Sequence, residues 1–432
     1  MGVFLRLMKL KKYVVPVIAA VVVTFLATLI ALNMRAEPKI DVRPTHLYAV
    51  SDPQFLRSMG VLLGPPLVDG NRIDTLVNGD RIFPSMLEAI SGAKQTIAFE
   101  MYIYWSGEIG RRFAAALAER ARAGVKVYVL VDWVGSQKMD ETSIETMKQA
   151  GVDFRKYRPL NWYNLDRVNN RTHRKLVVVD GRIGFTGGVG IADAWTGDAQ
   201  DPEHWRDNHY RVEGPAVAQM QAAFVDNWTQ VSGAVLHGDS YFPAQQNSGQ
   251  MYAQVFQSSS EGGSESMHLM YLLSIVAATR TIDLAMGYFV PDEVTSEALT
   301  SAMKRGVRVR LILPGKHNDT ELVRRASRAT WGPLLQAGAL IHEYQPTLYH
   351  VKLLVVDGLW SSVGSTNFDR RSFQLNDEAN LNVYDADFAR LQTETFESDL
   401  KQAQRITYEQ WEARPWTEKL IERSAALFSS QL

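Results

Sequence analysis

One short pattern occurs twice in this chain. Residues 173–181 read HRKLVVVDG and residues 350–358 read HVKLLVVDG. Each copy carries His-x-Lys-x4-Asp: His173, Lys175 and Asp180 in the first, His350, Lys352 and Asp357 in the second. The segments upstream repeat as well. TIAFEMYIY (96–104) corresponds to TIDLAMGYF (281–289), and VKVYVLVD (125–132) to VRVRLILP (307–314). Helix-like stretches precede and follow the first pair, at 82–93 and 265–279, then at 109–124 and 295–306. A duplication on this scale requires two similarly folded halves, and strands alternating with helices make each half an α/β sheet flanked by helices.

The motif spacing constrains its geometry. Side chains alternate faces along a strand, so His173 and Lys175 point the same way, as do His350 and Lys352, about 7 Å apart. Asp180 and Asp357 fall on the opposite face or in the turn. Asp-Gly is a favoured hairpin pair, and RIGFTGG (182–188) and LWSSVGS (359–365) follow as return strands. The six motif residues are the candidate catalytic set. Within it, lysine supplies fixed positive charge, histidine attacks phosphorus or moves a proton, and the aspartate forms the turn or an ion pair.

Small residues recur seven positions past each aspartate. Gly187 and Gly188 in the first half, with Ser365 and Asn367 in the second, are candidates for cradling phosphate oxygens; close strand packing is the alternative role. Each histidine also needs an orienting group. Asp207 in WRDNHYRV (205–212) and Glu378 in NDEANLNV (376–383) are the candidates, against the alternative of ordinary surface charges.

Domain limits follow: an N-terminal anchor at 1–39, a first domain at 45–235, a second at 250–385 and a helical extension at 386–432. The Ser-, Gly- and Gln-rich stretch 232–265 is the expected seam between halves. Tyr13 to Met34 is an uncharged run of 22 residues, long enough at 1.5 Å per residue to cross roughly 33 Å of hydrocarbon as a helix. Four of the six basic residues in 1–39 precede it, so the body is expected on the outer side of the membrane. A cleaved signal peptide is the rival reading, against which stand the length of the run and a poor cleavage site.

Without the basic N-terminus, the remaining body is net negative, which disfavours nucleic acid as a partner. There is no cysteine, hence no disulfide and no thiolate nucleophile. The nine histidines form no compact ligand pair, so neither a metal site nor a cofactor is expected.

The paired motifs, with NNRTHRKLVVVDGRIGFTGGVGIAD (169–193) and GSTNFDRRSFQLNDEANLNV (364–383), resemble the phospholipase D superfamily, most nearly the bacterial cardiolipin synthases. The resemblance covers roughly residues 45–432. It implies two phospholipase-D-like domains about a pseudo-twofold axis and a metal-independent, two-step phosphatidyl transfer. In that scheme His173 is the nucleophile that forms a phosphohistidine, His350 is the acid/base, and Asp207 and Glu378 orient the rings. The implied substrates are membrane phospholipids: phosphatidylglycerol, with phosphatidylethanolamine as a further possibility. The implied location is the bacterial inner membrane. Gly190 departs from the Gly-Ser-x-Asn pattern of many members, so phosphate contacts in that half are expected from the backbone. Hydrolysis to phosphatidic acid and a nucleic-acid phosphodiesterase activity are the alternative readings. Trp162, Tyr163, Trp195 and Trp205 are candidate lipid-interface aromatics or packing residues.

Overall fold

The computed structural model describes residues 14–25, 27–28, 40, 44–46, 48–160, 169–259 and 266–427. In the first half the strands are β1 (Val68–Val77), β2 (Thr96–Met101), β3 (Lys126–Asp132), β4 (Asp153–Tyr157), β5 (Lys175–Val179), β6 (Ile183–Gly187) and β7 (Asn208–Glu213). Their counterparts are β8 (Met251–Ser258), β9 (Thr281–Met286), β10 (Arg308–Pro314), β11 (Leu340–Tyr344), β12 (Lys352–Val356), β13 (Trp360–Gly364) and β14 (Glu378–Tyr384), and β15 (Ala403–Ile406) follows. All join one sheet in the order β15-β11-β10-β9-β12-β13-β14-β8-β1-β7-β6-β5-β2-β3-β4. Apart from β15, the order read outward from the antiparallel β8-β1 contact is the same in both directions, as a twofold duplication demands.

Within each half the inner strands reflect the sequence. The β2 and β5 side chains are all buried, as expected for apolar, β-branched runs covered on both faces. β2, β3 and β4 run parallel, and so do β9, β10 and β11. Helices make the crossovers. In helix Glu108–Arg122, Ile109, Phe113 and Leu117 form the buried stripe, and Arg120 and Arg122 sit in the last turn where cations suit the dipole. Its counterpart Glu293–Lys304 begins on Asp292, whose carboxylate accepts from the Thr295 amide.

Three expectations need adjustment. Helix Ala386–Leu400 stands after β14 as Ala216–Ser232 stands after β7, so the repeat continues through residue 400. The region beyond is not all helical: β15 pairs with β11 and lengthens the sheet. Last, the expected seam contains the central strand β8, where Ala253 and Val255 enter the shared core.

The N-terminal span is only partly covered. Residues 14–25 and 27–28 are helical with exposed side chains, and the rest of 13–34 lies outside the described residues. Among the described residues, no helix is long and apolar enough to cross a membrane.

Candidate active site

β5 and β12 start one residue after Arg174 and Val351, at the carboxyl ends of β2 and β9, so the motif histidines stand at the sheet edge where open α/β sheets bind ligands. The two edges then meet. The His173 amide donates to the Asp377 carbonyl at 2.8 Å, and the His350 amide donates to the Arg206 carbonyl at 2.9 Å. Thr172 bridges to Asp377 and Tyr349 to Arg206. Each motif is thereby stitched to the segment just before the opposite half's candidate acid.

Consequently the acids cross over. His173 Nδ1 lies 2.9 and 3.0 Å from the two carboxylate oxygens of Glu378. His350 Nδ1 lies 2.7 Å from Asp207 Oδ2. All four groups are buried. A carboxylate accepting from Nδ1–H fixes the tautomer and leaves Nε2 as the reactive nitrogen of each ring.

The lysines brace the same structure. Lys175 Nζ donates to the His173 carbonyl at 2.8 Å, and Lys352 Nζ donates to the His350 carbonyl at 2.5 Å. Burial lowers the Lys175 ammonium to about 7 and the Lys352 ammonium to about 8. It also brings the His173 imidazole down to about 4, against the opposing pull of Glu378. The His350 imidazole is lowered as well, by burial and then by the Lys352 charge. Burial pushes both acids up, but their histidine partners, the neighbouring lysine charges and hydrogen bonds to Asn208 and Ser365 together bring them below their usual range. The site thus holds neutral imidazoles beside ionised carboxylates, with two lysines whose charge an anionic ligand would secure.

A cavity of about 630 Å³ opens over these groups, lined by His173, Lys175, His350 and Asn367 together with Tyr102, Trp105, Trp205, Tyr288, Asp319 and Arg371 among others. Asn367 reaches it as expected, and its Oδ1 has no hydrogen-bond partner. The other proposed phosphate contacts do not. The Gly188 amide donates to the Asn208 carbonyl and the Ser365 amide to the Ala379 carbonyl, so neither is free for an anion. Ser365 Oγ donates to Glu378 at 2.5 Å. A Cβ on Gly188 would lie 2.2 Å from Asp207 Oδ1, and one on Gly187, at φ 156°, 2.6 Å from the His209 ring. These glycines make room for Asp207 and His209. Where the second half supports its acid with Ser365, the first uses Trp195, whose indole N–H donates to Asp207 at 3.0 Å.

Asp180 and Asp357 are not in the catalytic cluster. They sit at the far ends of β5 and β12 in hairpins whose two central residues have positive φ (54° and 62°; 55° and 65°), the geometry of an Asp-Gly type I′ turn. Asp180 accepts from the amides of Lys94, Gln95 and Thr96. Asp357 accepts from the amides of Thr279, Arg280 and Thr281 and from the Thr279 hydroxyl. Both staple the start of the neighbouring strand.

Two aromatic contacts were not legible from motif spacing. Tyr102 lies edge-on to His173 at 5.0 Å, and Trp195 edge-on to His350 at 5.4 Å. The position of Tyr102 just past β2, at the same sheet edge as the motif, was the available signal. Trp162 and Tyr163 lie outside the described residues.

Comparison with known proteins shows the family. A family model described as "Cardiolipin synthase, PLD-like domain" matches residues 86–228 and 271–400. Cardiolipin synthase 1 of Bacillus anthracis is 34% identical over 378 residues, covering 85% of this chain and 74% of the relative. The cardiolipin synthase of Geobacillus kaustophilus is 36% identical over 370 residues, with the same coverage. Among solved structures, the phosphatidylserine synthase of Haemophilus influenzae superposes with a TM-score of 0.64 at 13% identity, over 87% of this chain and 99% of the other, a likeness of fold.

Proposed function

Since the chain belongs to the cardiolipin synthase family of phospholipase D-like enzymes, we propose that it moves a phosphatidyl group from one phosphatidylglycerol to another, yielding cardiolipin and glycerol. The observation that carries this reading is the pair of histidine–carboxylate couples facing one cavity from opposite halves. Their roles divide the reaction in two. His173 Nε2 attacks phosphorus, the P–O bond to the headgroup breaks, and His350 gives its proton to the departing alkoxide. His350 then takes the proton of the incoming alcohol, whose oxygen attacks phosphorus as the P–N bond returns its electrons to His173. An anionic phosphate in the cavity helps hold the proton on His350 and the charges on Lys175 and Lys352.

The domain division expected at 45–235 and 250–385, carried on to residue 400, supports the same two-half reading. The uncharged run 13–34 and the basic residues before it support a single-pass anchor in the bacterial inner membrane with the body outside. Such an anchor keeps the site beside donor and acceptor lipids.

The test is direct. Purified full-length protein is incubated with phosphatidylglycerol vesicles, with and without phosphatidylethanolamine, in EDTA, and the lipids are analysed. Cardiolipin with released glycerol is expected; phosphatidic acid alone would replace transfer by hydrolysis. His173→Ala and His350→Ala are each expected to abolish turnover, and near-wild-type activity in either would break the two-half scheme.

A further inference from the structure

The catalytic cluster is nearly twofold symmetric, but the cavity walls above it are not. On the second half's side, the Tyr288 hydroxyl donates to Asp319 Oδ2 at 2.5 Å and also has a side-chain hydrogen bond with Thr320. All three line the cavity. The Tyr288 ring stands edge-on to His350 at 6.3 Å, and the Asp319 charge acts on both His350 and Lys352. The first half differs at the matching place. Aligning TIAFEMYIY with TIDLAMGYF puts Ile103 opposite Tyr288. The loop after β3 there presents Lys138, its ammonium 4.1 Å from the Trp105 ring, where the loop after β10 presents Asp319.

A carboxylate in a cavity that must hold a phosphate is unfavourable unless it serves another part of the ligand. A divalent cation is poorly served, since among the described residues no three acidic or histidine side chains are gathered to hold one. Hydroxyl groups are well served. Asp319 supplies acceptors, and the Tyr288 and Thr320 hydroxyls both donate and accept. The wall also stands on the side of His350, the group that exchanges a proton with the alcohol.

We infer that Asp319, positioned by Tyr288 and Thr320, binds the hydroxyls of the headgroup alcohol and selects a polyol over water and simple alcohols. This rests on the transfer reaction proposed above. It makes the pseudo-symmetric site directional: the alcohol enters and leaves along the second half's wall. Asp319 is thus a specificity-determining residue, and Tyr288 a positioning residue that acts through it.

The test is a competition. Full-length protein with phosphatidylglycerol vesicles receives labelled glycerol and 1-propanol at equal concentration, and labelled phosphatidylglycerol and phosphatidylpropanol are quantified. Wild type is expected to favour glycerol. Asp319→Asn should lower the glycerol-to-propanol ratio about tenfold, the usual size for losing a charge-assisted hydrogen bond. Tyr288→Phe should lower it by less. A ratio unchanged in Tyr288→Phe and in any active Asp319→Asn protein overturns the inference and leaves the transfer reaction standing. Wild type that yields only phosphatidic acid brings down both. A third arm with ethanolamine as acceptor discriminates charge from hydroxyl recognition. If Asp319→Asn cuts ethanolamine transfer and spares glycerol, Asp319 reads an ammonium and the polyol assignment is wrong.

Discussion

His173 works at the limits of what burial permits. With its ring lowered to about 4, kcat/KM is expected to rise as pH passes about 4, and to fall again once His350, itself lowered from the usual imidazole range, loses the proton it must donate. Below about 4 the His173 imidazole gains a proton and cannot attack; on the alkaline side the loss of the His350 proton comes first, and above about 7 to 8 the lysines also lose the charge that holds the phosphate. A pH–rate profile of the purified enzyme checks both limbs. Gly188 offers a second test at this scale. Gly188→Ala puts a methyl 2.2 Å from the Asp207 carboxylate, which must shift and turn His350 with it. A displacement near 1 Å costs on the order of a hundredfold in rate, so kcat should fall by about that much while thermal unfolding shows a folded protein.

At the level of elements, the hairpin aspartates act on stability. Asp357 is buried and accepts three backbone amides and a hydroxyl at the start of β9. Asp357→Ala leaves those donors unpaired and should cost about 3 kcal/mol, read as a lower denaturant midpoint. Asp180, less buried, should cost less on the same substitution. Much of this layer was legible beforehand. β5 and β12, their Asp-Gly turns and the return strands follow from period-two alternation and turn chemistry. Asp207 and Glu378 were legible as candidates because each lies on a strand-like stretch that follows its half's motif. What the motif could not disclose is that each acid serves the other half's histidine, because a pairing across 205 or 143 residues depends on how the sheets meet. The glycines misled for a related reason. Their neighbours are Asp207 and His209 on the adjacent strand, and a small residue in a sequence does not say whether a ligand or a side chain fills the space beside it. β8 was hidden because its surroundings are rich in Ser, Gly and Gln.

Across the whole molecule, the two halves share a central core and a buried ion pair. Residues from both sides, including Ile73 and Val212 from the first half and Val255 and Leu381 from the second, pack into a single cluster. Arg206 reaches across to Asp399 with two hydrogen bonds of 2.9 Å, both side chains buried, and Tyr349 donates to the same carboxylate. Removing one partner of such a pair strands the other, so Arg206→Met is expected to cost about 3–5 kcal/mol, measurable by chemical denaturation. The Arg206 guanidinium also donates to the Asp207 carbonyl and to Asn208 Oδ1, which hold the acid that faces His350, so the same variant should lose activity before it loses its fold.

The crossed carboxylates have a consequence for how the protein is made. His173 meets the sheet long before Glu378 is synthesised, and until that second strand arrives its imidazole has no acid to set its tautomer. On the two-half scheme, a chain that ends before β14 would carry a complete motif without the carboxylate that holds its histidine. On the proposed scheme, activity therefore requires that β14 has been made and has paired with β8 and β13.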